Sequence, residues 1–258
     1  MTDAIRTLTD LQTLIGRALR LTLRNVDGLL TALMLPPMLM FMFVYFFGGA
    51  IHTGERYIDY VVPGVLLVCV GFGAGTTAVS VAHDLSSAIV DRLRSMDVRG
   101  ESLIAGHVVA SVVRNLASSA LAVAFAVAIG YRPHADAAHW LAAIAILTLF
   151  VLAFSWLAAA IGILVRSPEA AQGITFVISF LPYPSSAFVP VSTMPSWLAP
   201  FAAHQPISAT IDAIRGLLAG GAGVSGLGSA ASSSIAWSVG IMIVSVVLSG
   251  VLFARRRD

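Results

Sequence analysis

Apolar residues dominate this chain in six long blocks, 29–51, 60–82, 104–130, 140–165, 170–189 and 232–254, and polar residues gather in the gaps between them. A block of roughly 20 apolar residues is long enough to cross the hydrocarbon core of a bilayer as a helix. None of the six keeps a polar face for water. They therefore predict an all-α integral membrane protein with six transmembrane helices, in which residues 1–258 form a single transmembrane domain with no room for a separate soluble one.

The segments around the blocks have patterns of their own. Residues 8–26 place Leu8, Leu11, Ile15, Leu19, Thr22 and Val26 at helical spacing, with Arg17, Arg20 and Arg24 elsewhere on the helix. This predicts an amphipathic helix lying in the membrane interface, the plainer alternative being a soluble arm. Between 83 and 106 the chain turns polar, yet Leu85, Ile89, Leu93 and Met96 make one helical stripe, with Asp91, Arg92, Arg94 and Asp97 largely off it. A short helix of this kind, with no soluble domain to cover it, needs a partner protein or the bilayer surface.

The fifth block runs into punctuation. Six of the eleven prolines fall between 182 and 206, and the segment F-V-P-V-S-T-M-P-S-W-L-A-P-F from 188 to 201 holds three of them. Proline removes a backbone donor and clashes with the preceding turn, and unsatisfied backbone facing lipid costs several kcal/mol. Residues 182–220 therefore predict a re-entrant region of short helices sheltered against protein near one membrane surface. After Pro206 a further short helix places Asp212 and Arg215 three residues apart, able to pair. Residues 219–231 read as a Gly/Ala/Ser linker.

Local signals refine the blocks. Pro36-Pro37 predicts a kink in the first span. Gly71 and Gly75 stand in G-x-x-x-G spacing, which lets helices approach closely; the run G-F-G-A-G has the look of a phosphate loop but sits inside an apolar helix. His107 and Arg114 are seven residues apart on one face, with Arg114 roughly 10 Å inside if the helix starts near His107. An Arg at that depth either anchors the structure or faces the bundle interior in a functional role. The loop with Arg132, His134, Asp136 and His139 has no metal-ligand spacing, and no metal site is expected. Ser167, Pro168 and Glu169 make a strong helix start.

Composition narrows the function. The chain is 58% hydrophobic and 11% charged, and all fifteen basic residues are Arg. With no Lys there is no P-loop and no Schiff-base chemistry. A net charge of +2 does not argue for nucleic acid, because the Arg residues sit at span ends, where they retain loops in the cytoplasm. With both termini inside, eleven Arg are cytoplasmic (6, 17, 20, 24, 92, 94, 99, 166, 255, 256, 257) and three are outside (56, 132, 215). Cys69 is alone, so no intrachain disulfide forms. The N-terminus lacks the layout of a cleaved signal peptide, and the first span is expected to act as an uncleaved signal anchor.

Taken along nearly the whole chain, the interfacial helix, the six spans, the polar loop after the second, the F-V-P-V-x-x-M-P-x-W-L segment and the run Q-P-I-S-x-x-I-x-A-I-R-G-L-L-x-G resemble type 2 ABC (ATP-binding cassette) exporter permeases. Within these the chain looks like the daunorubicin-resistance and nodulation-factor-export subgroup. The Gly common before F-V-P is replaced by Ser186-Ala187, and the Pro frequent after the L-R pair of the coupling loop is absent. The resemblance implies the permease subunit of an ATP-driven exporter in a bacterial cytoplasmic membrane, moving a hydrophobic or amphipathic substrate such as a drug, lipid or lipid-linked saccharide. It implies two copies of an ABC ATPase subunit, which would bind the ATP and Mg, and a second permease copy or paralogue. The chain itself would need no cofactor.

The resemblance also assigns sites. A cytoplasmic coupling helix would dock on the ATPase through Leu85, Ile89, Asp91, Leu93, Arg94 and Met96. The outer end of the path would be formed by Phe188, Pro190, Met194, Pro195, Trp197 and Phe201, acting either as an apolar gate or as an interfacial anchor. Two other classes stay open: an ATPase-independent channel or scaffold subunit, and an intramembrane enzyme. The latter lacks G-x-S-G, H-E-x-x-H and any intramembrane acid pair.

Overall fold

The computed structural model describes residues 12–21, 24, 26–51, 53–87, 100–221 and 226–255, and no strand occurs among them. Residues 12–21 form helix α1. Helix α2, Val26–Phe41, runs through Pro36 and Pro37 and continues as a π-helical segment, Met42–Phe47. Then follow α3 (Tyr57–Ser86), α4 (Gly100–Ala128), α5 (Ala137–Leu164), α6 (Pro168–Ser179), a 3-10 turn (Val191–Thr193), α7 (Ala199–His204), α8 (Pro206–Leu218) and α9 (Leu227–Arg255).

Four helical stretches, Tyr57–Ser86, Ser102–Ala128, Ala137–Leu164 and Leu227–Phe253, are long and apolar enough to cross a membrane. They coincide with the second, third, fourth and sixth apolar blocks. The chain is an all-α, multi-pass integral membrane protein. Its fifth block departs from a simple span. Helix α6 has 12 residues, about 18 Å at the usual rise, well short of a bilayer core. Beyond Ser179 the backbone tightens into three-residue turns, Phe180 to Val177, Leu181 to Ile178 and Tyr183 to Phe180. Pro182 and Pro184 stop the helix there by removing donors and disfavouring helical geometry in the residues before them. The last helix starts at Leu227, inside the stretch that composition marks as linker.

The antiparallel helices give the bundle two ends. One, the Arg-rich end, gathers α1, Ser86, Gly100, Leu164 and the close of α9; the other, the Pro-rich end, gathers Tyr57, Ala128, Ala137, Leu227 and the turns after α6. Helix α3 is the hub, packing against α2, α4, α5, α6 and α8. Val61, Val62, Val65 and Val68 are fully buried, as expected of a helix surrounded on all sides. Close approach depends on small residues. Cβ atoms added at Gly71 and Gly75 would come to 3.5 Å and 3.3 Å from Ser179 and Thr175, so the G-x-x-x-G pair seats α6 on α3.

Candidate functional site

The Pro-rich end is organised by one face of α8. Gln205, Ser208, Asp212 and Arg215 recur at spacings of three and four, and all four reach the turn after α6 or its neighbours. Ser186 is held at three atoms: its N–H donates to Ser208 Oγ (3.2 Å), its hydroxyl to Asp212 Oδ1 (2.7 Å), and its carbonyl accepts Arg215 Nη2 (2.6 Å). Gln205 Nε2 donates to the Pro184 carbonyl. Arg215 also donates through Nε and Nη2 to the Tyr60 carbonyl of α3, at 3.2 and 3.1 Å, and its guanidinium lies 3.7 Å above the Tyr60 ring. Its Nη1 completes the expected pair with Asp212 at 2.8 Å.

This clasp supplies the hydrogen-bond donors that a proline-broken backbone needs once it leaves water. Opposite it, Ile207, Ile211 and Ile214 turn into the core, so α8 is polar toward the turn and apolar toward the bundle. The turn lies hard against α3: a Cβ at Gly64 would stand 2.5 Å from the Ala187 carbonyl oxygen and 2.8 Å from its Cα. A cleft of about 630 Å³ opens beside the clasp, walled by Glu55, His204, Asp212, Arg215, Ser229 and Trp237 among others.

The six residues assigned to the outer path occupy different environments. Phe188 is buried, stacked on Phe43 with centroids 3.9 Å apart, and its carbonyl accepts the Tyr57 hydroxyl at 3.1 Å. Trp197 is 77% exposed and Phe201 50%, with Pro190 and Met194 half-buried and Pro195 exposed. Among the described residues no ring contact joins Phe188 to Trp197 or Phe201, and none of the six lines the cleft.

At the Arg-rich end the buried carboxylate of Asp84 ties three helices together. Arg17 of α1 donates to Oδ2 at 2.9 Å, and His107 Nε2 of α4 lies 3.0 Å from the same oxygen. Arg114 sits deeper than its distance from His107 implies, because α4 starts at Gly100. Fourteen residues from that start place it about 21 Å along the helix, near its middle. Its Nη2 donates to the Gly73 carbonyl (2.8 Å) and Thr77 Oγ1 (2.9 Å) of α3. The adjacent Asn115 donates one turn back to the Ser111 carbonyl, and Ser155 of α5 donates to Ser111 Oγ at 2.9 Å, continuing a polar seam through three helices.

Of the coupling residues, Leu85 is described, half-buried at the end of α3 against apolar neighbours that include Leu14 and Leu103. Ile89, Asp91, Leu93, Arg94 and Met96 lie outside the described residues. In the 132–139 loop Asp136 caps α5, accepting the His139 N–H at 2.8 Å with the His139 ring nitrogen 2.7 Å away. Those contacts, the backbone N–H foremost and then the side chain, hold its carboxyl below the usual range.

Sequence reasoning anticipated the Asp212–Arg215 pair and missed its partners. Ser186 was visible only as a departure from the usual glycine, and Tyr60 only as an aromatic at the edge of a block. Asp84 had a signal in plain view, a carboxylate at the end of a long apolar run, which is expensive to bury without partners.

The fold and these two polar clusters define a polytopic helical membrane protein in which broken backbone and intramembrane charge are sheltered between helices. The profile of the family described as "ABC-2 type transporter" matches residues 9–219, and the chain belongs to that family, whose members are membrane-spanning permease subunits. Similar curated proteins include the daunorubicin resistance ABC transporter permease protein DrrB1 of Streptomyces coeruleorubidus, 27% identical over 217 residues, covering 83% of this chain and 72% of the relative. The probable doxorubicin resistance ABC transporter permease protein DrrC of Mycobacterium tuberculosis is 23% identical over 226 residues, covering 87% of this chain and 80% of its own length.

Proposed function

We propose that this chain is the permease subunit of an ATP-driven exporter in a bacterial cytoplasmic membrane, moving a hydrophobic or amphipathic substrate outward. The observation that carries the proposal is the family match across 9–219. It takes in the interfacial helix, the clasped turn and every element of the bundle up to α8, leaving out α9. The names of the relatives favour drug-like substrates, with lipids and lipid-linked saccharides as the other members of the amphipathic class. Because the chain has no Lys for a P-loop, ATP and Mg belong to a separate ATPase, in two copies, beside two permease subunits. The Arg distribution supports cytoplasmic termini, which makes the Arg-rich end the ATPase side and the Pro-rich end the exit.

The test is co-reconstitution with the partner ATPase in proteoliposomes and measurement of ATP-dependent accumulation of two amphipathic probes, cationic daunorubicin and an anionic fluorescent lysophosphatidic acid. Accumulation should require both chains and hydrolysable ATP. Flux through this chain alone, indifferent to ATP, would establish the channel reading instead. For the coupling helix, Leu93→Asp should abolish co-purification of the ATPase or at least its coupling to transport, since it puts an unpaired charge into an apolar contact. Normal co-purification with undiminished transport would remove Leu93 from that contact.

A further inference from the structure

A cavity of about 390 Å³ lies among α1, α2, α3, α4 and the start of α6, and its lining runs from the Arg-rich end to the level of Arg114. Helix α3 contributes Thr76, Thr77, Ser80, His83 and Asp84, and α4 contributes His107, Ala110 and Arg114. Ala18 and Leu21 of α1 give it an apolar side.

The charges within it do not balance. Asp84, the carboxylate in the lining, is already engaged by Arg17 and His107. Arg114 makes its two bonds to neutral oxygens, and among the described residues no carboxylate pairs with it. Its Nε is buried with no acceptor among the described residues. A guanidinium near the middle of a bundle that keeps its charge uncompensated and a donor unused is costly, and it marks a place where an anion is strongly favoured. Thr76 and Ser80, both exposed, add hydroxyls on the same wall, although each currently donates to its own helix. Guanidinium groups take phosphate and carboxylate oxygens in charge-assisted, often bidentate, hydrogen bonds.

We infer that this cavity binds the oxyanion headgroup, phosphate or carboxylate, of a single-chain amphiphile, with Arg114 as the charge that recognises it and the α1 side receiving the chain. Cationic amphiphiles are disfavoured there. The cavity's use as an entry point for cargo rests on the exporter reading; binding itself does not.

The experiment uses the full chain without its ATPase, in nanodiscs of zwitterionic lipid, titrated with lysophosphatidic acid, with monoacylglycerol and an alkylamine of equal chain length as controls. Wild type should bind the phosphate form in preference to both controls. Arg114→Gln should weaken that binding by about tenfold or more while leaving the weak binding of monoacylglycerol unchanged. Ser80→Trp, which fills the cavity from an exposed position without touching the Arg114 contacts, should abolish it too, and covers the case in which Arg114→Gln does not fold. Equal binding of all three probes by wild type, or undiminished phosphate binding in a folded Arg114→Gln or Ser80→Trp protein, overturns the site. In the ATPase-coupled system, stimulation and transport of the bound amphiphile identify it as cargo; binding without either identifies a resident lipid. A failure to transport any amphiphile tested, with binding intact, counts against the exporter reading and leaves the site standing.

Discussion

Arg215 and Arg114 each carry a guanidinium in among the helices, and their surroundings differ. Around Arg215 are two backbone carbonyls, a carboxylate and a tyrosine ring, so its donors are used and its charge is matched. Around Arg114 are one carbonyl and one hydroxyl, both neutral, beside an open cavity. A matched charge fixes structure, because removing it leaves several partners unsatisfied at once. A charge without a counterion contributes little to stability and is retained for what it binds. On this comparison the Pro-rich end is a scaffold that holds broken backbone in place, and the middle of the bundle is where ligand chemistry resides.

The largest effect is expected where the scaffold meets the core. Phe188→Ala removes a buried ring stacked on Phe43 and should cost about 3–5 kcal/mol, read as a fall in the thermal midpoint and folded yield in detergent. Trp197→Ala, at an exposed site, should leave both nearly unchanged. If the two variants destabilise equally, the separation of the outer residues into buried and exposed sets is wrong.

Arg215→Ala should come next, at about 3 kcal/mol, because it strands the Ser186 and Tyr60 carbonyls and the partly exposed Asp212 carboxylate together. Arg114→Gln should change stability by less than about 1 kcal/mol and so barely move the midpoint, since an uncompensated charge is removed rather than a pair broken. Comparable losses from the two would erase the contrast.

The smallest effect concerns Asp136. Its carboxyl is lowered by the His139 contacts, so the stability it contributes is present above the unfolded carboxylate pKa of about 3.9 and is lost as pH falls through the lower folded value. Asp136→Asn keeps a capping oxygen and does not titrate. Its thermal midpoint should therefore fall less than that of wild type on acidification, and a parallel fall would remove Asp136 from the acid response.

The apolar blocks made the long helices legible, because hydrocarbon-spanning length and composition are one-dimensional properties. The broken, short-helix character of the Pro-rich end was legible for the same reason, since proline acts on its own neighbours. Where α6 stops depends on three-residue turns that continue past Ser179, and the block pattern extends the helix ten residues too far. The clasp joins Tyr60, Ser186 and Arg215 across separations of up to 155 residues, which no local pattern encodes. Arg114 was legible as an intramembrane charge. Its depth was not, because the start of α4 lies in a polar stretch where periodicity is weak, and its lack of a counterion is a property of the packed bundle.

The most direct measurement is ATP-dependent accumulation of the anionic amphiphile per folded complex, with the partner ATPase, compared for wild type, Arg215→Gln and Arg114→Gln. The account predicts that Arg215→Gln lowers the amount of folded protein while the surviving molecules transport at close to the wild-type rate. Arg114→Gln should fold normally and lose most of its transport. Full transport by Arg114→Gln, with a specific defect in folded Arg215→Gln molecules, would contradict it.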